Sequence, residues 1–165
     1  MALKRLVVDP QKCTGCGLCE IACSIKQTGM SSPARSRIHV ITWDAGCYLP
    51  VTCQQCEDAP CAAACPKEAL AYDPELMCVR IDYERCISCR MCVAACPYGA
   101  MGFEADKGRV FKCNQCDGEP ECVNWCTPGA LAYVDTVLDN LQRLRTSARR
   151  LAMPGPGVHN GLVES

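Results

Sequence analysis

The sequence predicts a small α+β protein, of one domain or two small lobes, that depends on its cysteines more than on a large apolar core. The chain has 165 residues, of which 18 are cysteine, a density far above that of ordinary globular proteins. Only nine residues are aromatic, counting Trp, Tyr and Phe, so packing alone is a weak source of stability at this length. Short strand-like runs alternate with cysteine-rich segments along the chain, which favours strands and brief helices over one regular layer.

Cysteine at this density serves either disulfides in exported proteins or metal centres in reduced compartments. The first ten residues contain an apolar run of about three residues, shorter than the roughly 7–15 residues of a signal-peptide core. The sequence has no run of about 18 apolar residues that could span a membrane. We therefore expect a cytoplasmic protein whose thiols hold metal. The net charge of −1 provides no basic field for nucleic acid.

Sixteen of the cysteines fall into four groups of four. In chain order they are Cys13, Cys16, Cys19 and Cys23; Cys53, Cys56, Cys61 and Cys65; Cys86, Cys89, Cys92 and Cys96; and Cys113, Cys116, Cys122 and Cys126. The first and third groups have intervening gaps of two, two and three residues, which is the spacing of the cluster-binding run of bacterial ferredoxins. The middle gap widens to four residues in the second group and to five in the fourth.

This spacing suits a [4Fe-4S] cube, which needs one thiolate for each of its four irons. Three closely spaced cysteines reach three corners, and the fourth ligand comes from elsewhere. The last cysteine of each group lies one helical turn after the third, and in two-cluster ferredoxins it serves the other cluster. Zinc sites use separated pairs, often with histidine, but His39 and His159 lie outside every group. We therefore favour [4Fe-4S] clusters over structural zinc or disulfides.

Short β-like runs flank these groups. Residues 6–9 and 79–82 each place an aspartate four residues before the first cysteine of a group, and residues 38–43 form a further predicted strand after the loop at 31–37. After the second, third and fourth groups, the same order of alanine, apolar and aromatic residues recurs: Ala69, Leu70 and Tyr72; Ala100, Met101 and Phe103; Ala130, Leu131 and Tyr133. We expect these segments to be strands that return over the clusters, with the aromatic side chains packed.

The spacing leaves the sharing of clusters open. Adjacent groups could pair, or the outer two groups could pair around the inner two. Cys47 and Cys78 are left over, and we expect them to be buried apolar residues and not ligands. Four basic residues stand beside the predicted ligands and would raise cluster potentials if they were desolvated, but we expect them to be solvated at the surface. They are Lys67, Arg85, Arg90 and Lys112.

From Asp135 onward the pattern predicts an amphipathic helix that ends at Pro154-Gly155-Pro156-Gly157. Its apolar stripe consists of Val137, Leu141, Leu144, Ala148 and Leu151. The stripe could pack on the cluster-binding body or dock on another subunit. The predicted organisation is therefore a four-cluster domain over residues 1–134 and a C-terminal helix and tail for docking over residues 135–165.

The cysteine motifs and their connecting segments resemble the four-cluster ferredoxin subunits of anaerobic redox complexes over about residues 1–135. The segments are CTGCGLCEIACS at 13–24, PARSRI at 33–38, CISCRMCVAACPYGA at 86–100 and KCNQC at 112–116. That family includes the small electron-transfer subunits of dimethyl-sulfoxide-reductase-type enzymes, of formate- and CO-linked hydrogenase complexes and of bacterial tungsten aldehyde oxidoreductases. The compact size and the PARSRI segment are most similar to the last group.

The resemblance implies tandem bacterial-ferredoxin-like lobes built around four cubane clusters, with the outer cysteine groups paired and the inner groups paired. The inner lobe would then lie at about residues 50–105, and the outer lobe would come from the flanking segments. The four implied ligand sets are Cys13, Cys16, Cys19 and Cys126; Cys113, Cys116, Cys122 and Cys23; Cys53, Cys56, Cys61 and Cys96; and Cys86, Cys89, Cys92 and Cys65.

Sixteen thiolates would occupy every iron of four cubes and leave none open to a substrate, and the sequence has no glycine-rich dinucleotide fingerprint. We therefore predict a non-catalytic electron-transfer subunit. The resemblance implies a tungsten or molybdenum catalytic subunit on one side and a flavin subunit or another acceptor on the other. A freely diffusing polyferredoxin and a structural zinc module are the alternatives, and copies of the chain could also join end to end.

Overall fold

The computed structural model describes residues 4–44, 46–137, 140–141, 144–145 and 148, and it shows a small mixed α/β protein. Its strands are β1 (Lys4–Val8), β2 (Ile38–Asp44), β3 (Cys47–Thr52), β4 (Leu70–Asp73), β5 (Cys78–Ile81), β6 (Gly102–Glu104), β7 (Arg109–Phe111) and β8 (Leu131–Asp135). Its helices are α1 (Leu18–Thr28), α2 (Pro60–Ala63), α3 (Met91–Ala95) and α4 (Glu121–Asn124).

The strands form four antiparallel pairs. Strand β1 pairs with β8, with Val8 opposite Leu131, so the two ends of the cysteine-rich region lie side by side. The other pairs are hairpins between neighbours in sequence: β2 with β3, β4 with β5 and β6 with β7. The predicted strands at 6–9, 38–43 and 79–82 are confirmed as parts of β1, β2 and β5, and the three predicted returning strands are β4, β6 and β8.

The lengths of the helices follow from what comes after each cysteine group. Helix α1 has 11 residues and ends at Gly29, whose φ of 75° lets its N–H donate to the Ile25 carbonyl at 2.8 Å. Helices α2, α3 and α4 have only four or five residues. A proline follows each of these three groups, and the residue before a proline is disfavoured in helical conformation. The predicted turn between the third and fourth cysteines is therefore present, but only α1 continues past it.

The buried apolar residues form two separate hydrophobic cores. The outer core consists of Cys19, Cys23, Ile38, Cys122 and Leu131. The inner core consists of Cys61, Leu70, Val79, Cys92, Met101 and Val110. Leu70, Met101 and Leu131 of the returning strands are buried. The aromatic residues Phe103 and Tyr133 are half-buried, in agreement with the prediction that they pack. The prediction was wrong for Tyr72, which is 37% exposed on a two-stranded sheet.

A buried ion pair connects the segments that build these two cores. Glu104 of β6 lies 3.6 Å from Arg37, which precedes β2, and the guanidinium of Arg37 also stacks on the Phe111 ring at 4.3 Å. Burial alone would raise the pKa of Glu104, but the hydrogen bond from Arg109 and the charges of Arg37 and Lys107 hold that pKa below its usual range. The carboxylate is therefore ionised and ties the two halves together.

The predicted C-terminal helix lies largely outside the described residues. Four residues of its apolar stripe are described. Val137, Leu141 and Leu144 are 64%, 48% and 65% exposed, and Ala148 is also exposed. These side chains do not pack on the cysteine-rich body. Among the described residues, none of the helices combines the length and the apolar character needed to cross a membrane.

Candidate metal centres

The sixteen grouped cysteines line four cavities, four to each cavity. The first cavity is lined by Cys13, Cys16, Cys19 and Cys126; the second by Cys23, Cys113, Cys116 and Cys122; the third by Cys53, Cys56, Cys61 and Cys96; and the fourth by Cys65, Cys86, Cys89 and Cys92. Each cavity thus combines three cysteines of one group with the last cysteine of another. No group of three such side chains in the described ranges converges on a single metal ion. Each set surrounds a space instead.

The four loops that carry the first two cysteines share one backbone feature. The residue immediately before the second cysteine has a positive φ in every group: 73° at Gly15, 50° at Gln55, 56° at Ser88 and 55° at Gln115. Left-handed backbone costs a residue other than glycine roughly 1–2 kcal/mol. Because three of the four residues are not glycine, this conformation indicates that each cavity requires the same turn.

The cavities follow one another in a row. Helix α1 carries Cys19 and Cys23 one turn apart, and these side chains line the first and second cavities. In the same way, Cys61 in α2 and Cys65 just after it line the third and fourth cavities.

The second and third cavities adjoin at Cys113. Gln55, from the loop of the third cavity, donates its side-chain amide to the Cys113 carbonyl at 2.9 Å. Burial and, to a smaller extent, the neighbouring Cys23 and Cys53 sulfurs raise the pKa of the Cys113 thiol to about 11. The order along the row is therefore first, second, third and fourth cavity.

The two ends of the row open to the surface. Cys16 of the first cavity and Cys89 of the fourth are the exposed members of their sets, whereas every cysteine of the second and third cavities is buried or half-buried. Apolar side chains accompany both openings: Leu18 beside the first cavity, and Ile87 beside the fourth, are 36% and 59% exposed.

The donors suit a polynuclear iron–sulfur centre. Backbone N–H groups donate to three of the sulfurs, from Arg37 to Cys23 at 3.2 Å, from Ala69 to Cys65 at 3.3 Å and from Gln115 to Cys113 at 3.4 Å. Hydrogen bonds of this kind are the usual support for cluster thiolates.

The buried thiols need a positive partner before they can act as ligands. Burial, followed by the charge of Glu20, raises the pKa of Cys19 to about 12, and burial likewise raises the pKa of Cys122. Cysteine binds metal as the thiolate, so a cationic iron–sulfur core would offset the cost of burying these negative charges. The residues of all four cavities therefore fit such a group.

The two remaining cysteines differ from each other. Cys78 in β5 is fully buried, as predicted. The same prediction was wrong for Cys47, which is exposed. Cys47 begins β3 beside Gly46 at the turn of the β2–β3 hairpin, away from both cores.

The basic residues beside the predicted ligands differ in their exposure to solvent. Lys67, Arg85 and Arg90 are exposed, as predicted. Lys112 is only 5% exposed, so the prediction that it is solvated was wrong. Two of the three oxygen atoms around its amino group belong to Gln55 and Val79, which are distant in sequence. No local pattern could indicate these contacts.

Sequence reasoning also missed several polar residues around the cavities. Arg37 lines the second cavity, and Gln27 reaches the sulfur of Cys116 at 3.6 Å. Gln55 connects the second and third cavities. Only the position of Gln55 between two cysteines of one group could have drawn attention to it.

Comparison with known proteins identifies 4Fe-4S domains in the chain. A family model described as a 4Fe-4S dicluster domain matches residues 44–136, and a 4Fe-4S binding domain matches residues 6–24. The polyferredoxin-like subunit of the aliphatic sulfonate oxidoreductase of Pyrococcus furiosus is 43% identical over 121 residues, which cover 73% of this chain and 70% of that protein.

Two further relatives are also redox proteins by name. The electron transport protein HydN of Escherichia coli is 36% identical over 88% of this chain and 94% of that protein. The β subunit of the NADH-dependent phenylglyoxylate dehydrogenase of Aromatoleum evansii is 36% identical over 82% of this chain, which spans only 31% of that subunit. The dicluster match covers more than half of the residues, and the chain therefore belongs to the 4Fe-4S dicluster family of ferredoxin-type proteins.

Proposed function

We propose that this chain is a non-catalytic electron-transfer subunit that holds four [4Fe-4S] clusters and relays electrons between a catalytic oxidoreductase subunit and an acceptor. The observation that carries the proposal is the row of four cavities, each lined by four cysteines, with an exposed cysteine at each end. When bound, each cluster would accept and donate one electron at a time.

The chain's own residues would define the path of the electrons. Sixteen thiolates leave no iron position for a substrate, so the chain would conduct electrons and not catalyse a reaction. The half-buried and buried sulfurs of the second and third cavities keep solvent from the middle of the row. Electrons would then enter and leave at Cys16 and Cys89.

The surroundings of both ends suit contact with other subunits. Leu18 is exposed beside the first cavity, and Ile87 is 59% exposed beside the fourth. Met91, which lies between Cys89 and Cys92 in the sequence, is 51% exposed. Apolar side chains around an exposed cluster ligand favour a close, dry contact through which an electron can pass. The names of the relatives in Pyrococcus furiosus and Aromatoleum evansii describe subunits of oxidoreductases, which supports a role as a subunit.

The resemblance of the sequence to small subunits of tungsten and molybdenum enzymes makes such an enzyme our proposed catalytic partner, with a flavin subunit or another acceptor at the opposite end. The proposed setting is the cytoplasm. The exposed stripe formed by Val137, Leu141 and Leu144 offers an additional surface for one of these subunits.

Metal analysis of anaerobically purified protein tests the cluster content. We expect about sixteen iron and sixteen sulfide ions per chain, from four cubes of four irons. A content of eight irons would mean that half of the cavities are used differently. Stoichiometric zinc without sulfide would contradict the proposal and favour a structural module.

Isolation of the native complex tests the role as a subunit. We expect the chain to purify with a catalytic subunit that contains tungsten or molybdenum, and to become reduced when the substrate of that subunit is added. A fully loaded chain that purifies alone would contradict the subunit role and favour the freely diffusing carrier. Deletion of residues 136–165, which leaves β8 intact, should weaken the complex only if the apolar stripe contributes to docking.

A further inference from the structure

A buried lysine forms part of the wall of the third cavity. Lys112 immediately follows β7 and is 5% exposed. Its amino group donates to the Gln55 side-chain oxygen at 2.8 Å, to the Val79 carbonyl at 2.5 Å and to the Cys113 carbonyl at 3.0 Å. The same residue lines the cavity of Cys53, Cys56, Cys61 and Cys96.

The three acceptors fix the charge of this amino group. An uncharged amine has two N–H donors, whereas an ammonium has three. The two backbone carbonyls can only accept hydrogen bonds. The Gln55 side-chain oxygen also accepts from the Val79 N–H at 3.0 Å, which fixes the amide with its oxygen toward Lys112. Three acceptors therefore hold Lys112 as an ammonium ion.

The positive charge of Lys112 has no ionic partner in the described part of the chain. Its three partners are all neutral oxygens. The second cavity provides a contrast, because Arg37 in its wall is equally buried but faces the carboxylate of Glu104 at 3.6 Å. The charge is thus largely neutralised beside the second cavity and uncompensated beside the third.

The field of Lys112 reaches the cysteines of this region. Burial raises the pKa of the Cys78 thiol, and the charge of Lys112 opposes that increase as the next strongest influence. A negative charge that develops in the third cavity would be stabilised in the same way.

We propose that the charge of Lys112 raises the reduction potential of the cluster held in the third cavity. This cluster would then be easier to reduce than a cluster held by the same four cysteines without that charge. This inference rests on the four-cluster function proposed above. Reduction adds one electron and no proton to the cavity, and Lys112 remains an ammonium throughout. Its effect is therefore purely electrostatic, and it concentrates on the nearest cavity because the interaction falls with distance.

The chain contains a matched control for this effect. Lys12 precedes Cys13 exactly as Lys112 precedes Cys113, but its side chain is 59% exposed and its amino group pairs with Asp9 at 3.2 Å. Solvent and the carboxylate both screen the Lys12 charge. Removing the charge of Lys12 should therefore have little effect on any cluster.

The experiment compares Lys112→Met and Lys12→Met with the wild-type protein. Each fully loaded protein is titrated anaerobically with dithionite, and the four one-electron steps are followed by electron paramagnetic resonance and visible absorbance. In Lys112→Met we expect one step to become at least about tenfold less favourable, which corresponds to 59 mV for one electron. We expect the other three steps, and all four steps of Lys12→Met, to change less than about threefold.

A second variant covers the possibility that Lys112→Met does not load its cluster. Gln55→Glu keeps an oxygen acceptor for Lys112 but places a carboxylate beside it, and we expect the same step to become less favourable. Cys56→Ser, which changes a ligand of the third cavity, identifies that step. Unchanged steps in a fully loaded Lys112→Met or Gln55→Glu protein would overturn the inference, as would an equal shift in Lys12→Met. Fewer than four clusters in the wild-type protein would instead overturn the proposed function.

Discussion

The outer and inner cores use the same cysteine motif but assemble from different parts of the chain. The inner core comes from one continuous stretch between Cys61 and Val110. The outer core joins α1 and β2 near the start of the chain to α4 and β8 near its end, more than 75 residues later. Because closing a longer loop costs more entropy and slows folding, the inner core is the more local unit. The outer core requires closure of a loop that contains the whole inner stretch.

The difference also shows where the two cores depend on each other. Arg37 belongs to the outer segments, whereas Glu104 and Phe111 belong to the hairpin at the end of the inner stretch. Their contact is buried and ionic, so it adds specificity to an association that few apolar side chains support. The following predictions test this division, starting with the largest expected effect.

Glu104→Gln should cause the largest loss of stability, because it breaks the buried ion pair between the two cores. It would leave the Arg37 guanidinium, whose side chain is 4% exposed, without its carboxylate partner. Breaking a buried ion pair in this way costs about 3–5 kcal/mol. The midpoint of chemical denaturation of the cluster-loaded protein, followed by the loss of cluster absorbance, measures the effect.

Asp106→Asn is the matched control for this change. Asp106 also pairs with an arginine of the outer segments, Arg35, at 2.6 Å, but it is exposed to solvent. We expect its midpoint to equal that of the wild-type protein. A Glu104→Gln protein as stable as Asp106→Asn would show that the buried pair does not hold the cores together.

Two glycine substitutions should affect the cores separately. A Cβ atom at Gly102 would collide with the Phe111 ring, which is 7% exposed and covered by Arg37. Because that ring cannot move aside, Gly102→Ala should cost about 1–3 kcal/mol, as overpacking does. Hydrogen exchange should locate the loss of protection in β6 and β7 of the inner stretch.

Gly15→Ala is the corresponding change in the outer region. A Cβ atom there would lie 2.5 Å from the Tyr48 ring, but Tyr48 is half-buried and can rotate outward. The remaining cost is that of a left-handed alanine, roughly 1–2 kcal/mol. We expect a smaller loss than in Gly102→Ala, confined to the loop of Cys13 and Cys16. Loss of protection in both cores of either variant would contradict the division into two units.

The two spare cysteines should differ in reactivity without any effect on stability. In the loaded protein under anaerobic conditions, iodoacetamide should label Cys47, which is exposed, and spare Cys78, which is fully buried. Mass spectrometry of the labelled peptides measures this. Cys47→Ser should remove the rapid labelling, and unfolding should make Cys78 reactive. Rapid labelling of the native protein at Cys78 would show that β5 opens readily.

The sequence predicted the local features of the site and failed where distant segments meet. The spacing within each group predicted three cysteines in one loop and a turn to the fourth, because these relations involve fewer than about fifteen residues. Which groups share a cavity depends on how β1 meets β8, and the spacing left that open. The exposure of Cys47 was missed because a hairpin turn places it away from both cores.

The burial of Lys112 illustrates the same limit. Lys12 and Lys112 stand in identical dipeptides with cysteine, and the local sequence predicts the same surroundings for both. The difference comes from Gln55 and Val79, which lie 57 and 33 residues away from Lys112 and supply two of its three acceptors. A residue whose environment is built by other segments can be assigned a role only when the fold is known.

The exposed sulfurs of Cys16 and Cys89 make the ends of the row vulnerable as well as accessible. An opening that allows an electron to leave toward a partner also admits dioxygen. Clusters in the first and fourth cavities would therefore be oxidatively damaged first in air, and clusters in the second and third cavities would survive longer. A bound neighbouring subunit would then serve as a lid against oxidative damage, so the assembled complex should tolerate air better than the isolated chain.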